Sequence, residues 1–544
     1  MLMLSFCNSS IKSCVPVLVG LLTLIVSVSA QQPGELDPTF GTDGKVITLL
    51  GVTEEATRGG DIAVYPTGDF VVAGNHTTYD PNDTIEPYNQ DMIVVRYKPD
   101  GALDSAFGTN GIVSMDLGMG DEYIASVALQ DDDKIVLAGY AGIDPNYDFL
   151  LARINSNGTL DNSFGLNGIV VPPSSSILRN ILYSVAIQTD GKIVVAGQIN
   201  MGTHYDFFVA RYLTDGTLDP TFGVVTTDFI TFGAMGNDHA TSLALAADGK
   251  IVAGGYTQKG VLADFALARY NSNGSLDNTF GAGGMVSTDF GKYDRAFSVL
   301  IAADGKILLI GNLTNIFQDS ARLGVARYNP DGSLNASFGN NGKMIGNTPS
   351  VPTVWSAAVL QDTSRMVIVG GTLTVPGDFA VTRYMTNGVP DASFGSGGIV
   401  ITDMFTKGDG ASAIAMQGDS KILVAGQAGS ATPNGIGICV ARYFSHLTVG
   451  VPNREGGSAF AVYPNPAHES ITLSCELAQP EPLSVRLLDL NGRLIQTLIE
   501  NKMRPAGENV VRMQLPQGLV SGMYLLDIRS KGGRAVMMVT VSSS

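Results

Sequence analysis

One phrase returns seven times along this chain, and that repetition limits what it can fold into more than any other feature. Leu36-Asp37-Pro38-Thr39-Phe40-Gly41 comes back with its phenylalanine at Phe107, Phe164, Phe222, Phe280, Phe338 and Phe394. In step with it runs Ala-Arg-Tyr or a near variant, with arginine at Arg96, Arg153, Arg211, Arg269, Arg327, Arg383 and Arg442. Successive arginines are 57, 58, 58, 58, 56 and 59 residues apart. A chain of 544 residues would ordinarily be divided into several domains, but a fixed period of this length is read as one array of stacked units.

Each unit predicts four strands. Strand A is the Ser184-Val185-Ala186-Ile187-Gln188 type, and an Asp190-Gly191 turn leads into strand B, Lys192-Ile193-Val194-Val195-Ala196-Gly197. Strand C is the Asp264-Phe265-Ala266-Leu267-Ala268-Arg269-Tyr270 type, and strand D follows the phenylalanine, as in Met285-Val286-Ser287-Thr288. A sheet this small cannot bury both faces alone, whereas seven stacked around an axis can. The array opens with a lone strand D (Leu36 to Leu50) and ends at Tyr443 on a strand C with no D after it. Together the two ends complete one unit. The expected fold is therefore all-β, a seven-bladed β-propeller over residues 31–444 closed by its N-terminal strand.

Gly at 65 residues and only 15% charged residues suit short strands and tight turns. The net charge of -17 repels phosphate backbones and argues against nucleic acid as a partner. Residues 1–30 read as a cleaved signal peptide. Lys12 is followed by an apolar run from Val15 to Val28, and Val28-Ser29-Ala30 offers small residues for cleavage. No transmembrane segment is expected in the mature chain. Cys7 and Cys14 leave with the signal, and Cys439 and Cys475 lie in different segments, so no disulfide framework is expected.

The phrases Asp-Gly-Ser-Leu-Asp-x-x-Phe-Gly, Asp-Gly-Lys-Ile-Val-Val-Ala-Gly and Asp-Phe-Ala-Leu-Ala-Arg-Tyr resemble the delta-60 repeat of bacterial β-propellers, over about residues 34 to 444. The resemblance implies a fold and brings no catalytic residue or ligand with it. After a polar, Gly-rich linker at 445–458 the repeat stops. Residues 459–544 predict six or more short strands, an immunoglobulin-like sandwich. This segment resembles the type A C-terminal sorting domain of type IX secretion. The matching pieces are Val462-Tyr463-Pro464-Asn465-Pro466, Leu488-Asp489-Leu490-Asn491-Gly492-Arg493, and Ser521-Gly522-Met523-Tyr524-Leu525-Leu526. The likeness implies the type IX machinery as a partner, export across the outer membrane of a Bacteroidetes-type bacterium, and release or attachment at the surface.

The seven arginines share a strand face with packing residues, so each needs a partner. Asp37, Asp104, Asp161, Asp219, Asp277 and Asp391, with Asn335 in the remaining unit, are the natural ones, and the set reads as structural. Asp-Gly turns suit calcium in principle, but no unit has the Asp-x-Asp-x-Asp spacing, so turn chemistry explains them and no metal is expected. His76, His204 and His239 occupy nonequivalent positions, and no Gly-x-Ser-x-Gly elbow occurs. Neither enzyme nor cofactor is expected.

The turns joining A to B and C to D are nearly invariant. The B-to-C connections (Asn75–Gln90, Ala141–Tyr147, Gln198–Tyr205, Asn312–Ser320, Thr372–Gly377) differ from unit to unit. Rigid scaffolds carry function on variable loops, so any ligand is expected at the B-to-C end, near His76, Tyr79, Tyr88, Tyr147, His204 and Tyr205. The preferred expectation is an exported binding or scaffold module for an extracellular glycan or protein. A structural adhesin or matrix protein and a surface hydrolase acting on glycan or peptide remain as alternatives.

Overall fold

The computed structural model describes residues 32–541 apart from 50–56, 80–87, 144–145, 171–178, 230–235, 315–320, 347–352, 374–375, 405–406, 419, 430–435, 447–459, 464–466, 468–469, 478, 490–492, 521 and 532. Every regular element among them is a strand. Gln32–Leu447 forms one compact unit, and residues from Thr448 onward belong to a second. The signal segment 1–30 lies outside the described residues.

Numbering the repeats by their arginines, repeat 4 shows the local logic. Its strands A (Asn237–Leu245), B (Ile251–Lys259), C (Leu262–Tyr270) and D (Met285–Thr288) pair antiparallel in that order. At the A-to-B turn Gly249 takes φ +82°, and Asp248 accepts the Lys250 N–H at 3.2 Å. Ile251, Val252 and Ala253 are all buried, as are Phe265 through Ala268. Such runs suit strands covered on both faces, as a sheet between two neighbours must be. The same A-B-C-D order holds in the other repeats. Repeats 4 and 5 also touch through one parallel bridge, Ala263 to Tyr293.

Strand A of each repeat packs on strand A of the next, and Lys407–Met416 of repeat 7 packs on Thr57–Val64 of repeat 1. The opening strand, Lys45–Thr48, supplies the missing D of repeat 7, with Lys45 opposite Ala441 and Thr48 opposite Ile438. Phe40, Phe70, Val72, Leu423 and Val440 form one apolar cluster across that junction. Leu50 lies outside the described residues. The Phe-Gly step also joins repeats. Gly281 sits at φ +53°, where a Cβ would come 2.3 Å from the Met285 carbonyl oxygen, and its N–H donates to Asp331 of repeat 5 at 2.8 Å.

Ser445 and His446 correct the linker boundary. Ser445 is buried, and its carbonyl accepts a hydrogen bond from Arg383 Nη1, so these two residues finish the repeat unit instead of leaving it. In the second unit two sheets close on one core. Phe460–Tyr463, Ser470–Leu477 and Gly507–Gln514 make one; Leu494–Arg504, Glu481–Leu488, Gly522–Ser530 and Gly533–Val541 make the other. Leu473, Val485, Leu526 and Val539 meet between them, with Cys475 buried as a free thiol.

Candidate functional site

The two ends of the repeat unit are chemically different. At the C-to-D end each arginine is a strap to the next repeat. Arg153 bonds Asp161 (Nε to Oδ2, 2.8 Å), lies 4.4 Å over the Phe164 ring, and donates Nη1 to the Thr214 carbonyl of repeat 3. Arg96 reaches Ser156, Arg211 Ser272, Arg269 Pro330, Arg327 Thr386 and Arg383 Ser445, always one repeat on. Arg442 reaches back to Pro99 of repeat 1. Burial alone would raise the carboxyls of Asp161, Asp219 and Asp277, but bonds from Ser163, Thr221 and Thr279 together with the arginines hold them at about 2. Repeat 5 departs from the expected pairing. Asn335 turns to Asn329 (2.8 Å), and Arg327 takes Asp304 instead, at 3.2 Å.

At the B-to-C end the sequence-predicted residues fall into separate neighbourhoods. His76 is buried on strand B of repeat 1, opposite Asp91 on strand C. Tyr79 and Tyr88 are backbone partners there, but their side chains and the loop between them lie outside the described residues. His204 Nε2 lies 3.2 Å from Asp206 Oδ1. Tyr147 packs edge-on to Tyr140 (5.3 Å) and Tyr123 (6.1 Å), which stack on each other at 4.8 Å. Tyr205 lies 5.9 Å from the His239 ring, which stacks on Tyr256 at 4.5 Å. The Arg295 guanidinium lies over both Tyr256 and Tyr293. Tyr183 connects the two groups, within electrostatic reach of Tyr140, Tyr205 and Tyr256, and its hydroxyl donates to Gln198 Oε1 at 2.9 Å. His239 Nδ1 bonds the same oxygen. Burial, then the charge of Arg295, pushes His239 down to about 4.

These rings form an arc across repeats 2 to 5. Sequence reasoning placed Tyr147 and Tyr205 at this end but missed Tyr123, Tyr140, Tyr183, His239, Tyr256 and Arg295, which stand on strands A and B and not on loops. By register, Tyr123, His239 and Arg295 share one strand-A position, occupied in repeats 6 and 7 by Val354 and Gly410. The arc is therefore one-sided. The same end also carries carboxylate groups: Asp91, Asp116 and Glu122 in one, Asp264, Asp289 and Asp294 in a second, Asp378, Asp403 and Asp409 in a third, each offering oxygens within 4.8 Å of one another.

A family model described as a domain of unknown function (DUF5122) beta-propeller matches residues 88–107, 130–164, 188–222, 246–280, 302–338 and 365–394. The chain carries DUF5122 β-propeller repeats. Each fully matched DUF5122 repeat runs from before strand B through the arginine to the phenylalanine, the stretch that holds the straps. A second model, a secretion system C-terminal sorting domain, matches residues 461–541. That domain directs export across the outer membrane, to the cell surface or the medium. Among the described residues no helix is long and apolar enough to cross a membrane. Within the sorting domain Tyr524 donates its hydroxyl to the Val520 carbonyl at 2.7 Å, and Gly522 opens the adjoining strand. Tyr463 closes strand Phe460–Tyr463, but its side chain and the residues Pro464, Asn465, Pro466 and Gly492 lie outside the described residues.

No curated protein matches the chain. Among solved structures it is similar to polysaccharide lyase Uly1 (12% identity, 71% of this chain and 90% of that one, TM-score 0.42). It is also similar to PorZ, a surface component of the type IX secretion system of Porphyromonas gingivalis (10% identity, 94% and 86%, TM-score 0.25). A third is the periplasmic gluconolactonase PpgL of Pseudomonas aeruginosa (13% identity, 82% and 100%, TM-score 0.36).

Proposed function

We propose that the mature protein is an exported surface or secreted binding module. In this reading its repeats close into a seven-bladed ring, its tail is an immunoglobulin-like sandwich recognised by the type IX machinery, and the B-to-C end of the ring takes an extracellular ligand. Closure is supported by the bond from Arg442 of repeat 7 to Pro99 of repeat 1. The observation that carries the ligand reading is the one-sided arc from Tyr123 to Arg295. A scaffold with no ligand has no reason to collect rings, amides and a guanidinium over some repeats and not others. Such a surface suits a glycan, whose C–H faces stack on aromatic rings while its hydroxyls bond the exposed Arg295 guanidinium. The net charge of -17 favours a neutral or basic ligand over a polyanionic one.

Binding is preferred over hydrolysis because His239, the histidine within the arc, is held uncharged and bonded to an amide, with no carboxylate to orient it among the described residues. The test is a glycan and protein array probed with the full secreted protein and with a Tyr140→Ala, Tyr256→Ala double variant. Hits lost in the variant, at unchanged melting temperature, support the reading. Hits that survive the variant place the ligand elsewhere, and an array with no hits returns the adhesin or matrix alternative.

A further inference from the structure

The carboxylate groups at the B-to-C end follow a rule. One acid opens strand C, one follows strand D, and one opens strand A of the next repeat, so each group sits on a junction between repeats. Asp264, Asp289 and Asp294 make the group between repeats 4 and 5; Asp91, Asp116 and Glu122 that between 1 and 2; Asp378, Asp403 and Asp409 that between 6 and 7. The strand-A acid is fixed the same way in each. Asp294 Oδ2 accepts the Phe290 N–H (2.6 Å), Asp409 Oδ2 the Met404 N–H (2.8 Å) and Glu122 Oε1 the Met119 N–H (3.2 Å). What remains is a second oxygen. Asp294 Oδ1 and Glu122 Oε2 are buried with no hydrogen-bond partner, on side chains that are 0% exposed.

A buried carboxylate oxygen beside two more carboxylates is a costly arrangement unless a cation completes it. Among the described residues neither Asp294 nor Glu122 has an ion-pair partner. Lys343 approaches the group between repeats 4 and 5, but its Nζ is given to the main-chain carbonyl of Asp289 at 2.7 Å. The junction between repeats 2 and 3 shows the alternative. There the strand-A position is Asn180, whose Nδ2 donates to Asp148 Oδ1 at 2.9 Å, so an amide satisfies what a second acid would leave open. The His204, Asp206 and Asp228 group likewise differs, since His204 already faces Asp206.

We propose that two of these junctions, those of Asp294 and Glu122, are calcium sites, each ion bridging strands C and D of one repeat to strand A of the next. Calcium bonds oxygen at about 2.3–2.6 Å, so one ion can touch oxygens up to roughly 4.8 Å apart, and the oxygens of each group lie within 4.8 Å of one another. All-oxygen donors select a hard cation. The solvent-exposed acid in each of the two (Asp116, Asp289) leaves room for the waters that fill a coordination shell of six to eight. Without a cation the same crowding shows as proton affinity: burial, with the acids alongside, pushes Asp294 up to about 6 and Glu122 up to about 7. The proposal does not rest on the ligand reading above, because these sites join repeats whether or not a glycan binds.

The experiment is titration of the EDTA-stripped, full mature protein with calcium chloride at pH 7.5, followed by calorimetry and by thermal melts. Expected are two ions per chain with dissociation constants of about 10⁻⁴–10⁻³ M, the range of extracellular modules, and a melting temperature that rises with calcium more than with magnesium or with sodium chloride of equal ionic strength. Asp294→Asn lowers the stoichiometry by one. Should that variant fail to fold, Asp289→Asn at the exposed rim weakens the same site at least threefold. Absence of binding at 10 mM calcium overturns the proposal, as does an unchanged stoichiometry and affinity in both variants.

Discussion

The C-to-D end and the B-to-C end of the same strands handle charge in opposite ways. At the first, each repeat arginine finds a carbonyl of the next repeat, and all seven have a carboxylate within 3.2 Å. At the second, acids gather at three junctions, with a buried oxygen left over on Asp294 and on Glu122, and rings gather over repeats 2 to 5. Repetition fixes the first end because each strap must span the same junction to the next repeat. The second end is relieved of that duty and can diverge. Sameness marks the end that joins one repeat to the next, and difference marks the end where the repeats diverge.

The largest effect that would break this contrast is expected at the straps. Arg269→Ala removes the guanidinium from Asp277 and the donor to Pro330, leaving a buried carboxylate with its Thr279 hydrogen bonds but, among the described residues, no cation nearer than Lys250 at 3.6 Å. Truncating one member of a buried pair costs about 3–5 kcal/mol, which urea unfolding should read as a lower midpoint with an unchanged slope. Arg269→Lys keeps the charge but not the planar fork, and should recover less than half of the loss. A neutral result for Arg269→Ala would show that the straps are ornament and that the apolar clusters between repeats suffice.

Much of the strap end was legible in the sequence. Asp-Gly turns, strands apolar on both faces and an arginine returning at a fixed interval all state local requirements that a single repeat reveals. The exception, Asn335, was visible as a departure, but its consequence was not. That Arg327 turns to Asp304 depends on the distance across strands. The open end was harder. Asp264, Asp289 and Asp294 come from three strands of two repeats, and each alone reads as a turn or edge residue. Only stacking brings them together. The rings were hidden differently. Tyr123, Tyr140 and Tyr256 sit inside strands, where an aromatic residue reads as packing, and attention to variable loops passed over them.

The next effect in size is the pH dependence of the calcium-free protein, and here the two ends pull apart. Asp161, Asp219 and Asp277 have folded values near 2, below the ordinary 3.8, so their contribution is complete above about pH 4 and is lost as pH falls toward 2. Glu122, Asp238 and Asp294 are raised to about 7, 6 and 6 by burial and by neighbouring acids. The folded state then holds protons that the unfolded chain has released, so stability falls as pH rises from about 4 to about 7. Summed and discounted for screening, the fall should be about 2–3 kcal/mol. Urea midpoints in EDTA should be highest near pH 4–5, and calcium should flatten the descent. A profile that stays level between pH 5 and 8 contradicts the account of the open end.

The smallest effect isolates one acid. Asp238 is 1% exposed, accepts the Phe229 N–H through Oδ2 at 2.7 Å, and lies near Asp206 and Asp228. Asp238→Asn keeps that acceptor and replaces the other oxygen with an N–H₂ able to donate to the neighbouring carboxylates, as Asn180 does at the previous junction. A charge that disfavours the folded state at neutral pH is removed, while the remaining amide oxygen can still accept from the Phe229 N–H and the Thr257 side chain. At pH 7.5 in EDTA the variant should therefore be more stable than the parent by about 1 kcal/mol, and should lose roughly a third of the alkaline decline. At pH 4.5, where the parent acid is already protonated, the two should unfold together. A variant that is less stable at both pH values would mean that the carboxylate is held by a partner that an amide cannot replace. The open end would then be as fully paired as the strap end, and the contrast between them would fail.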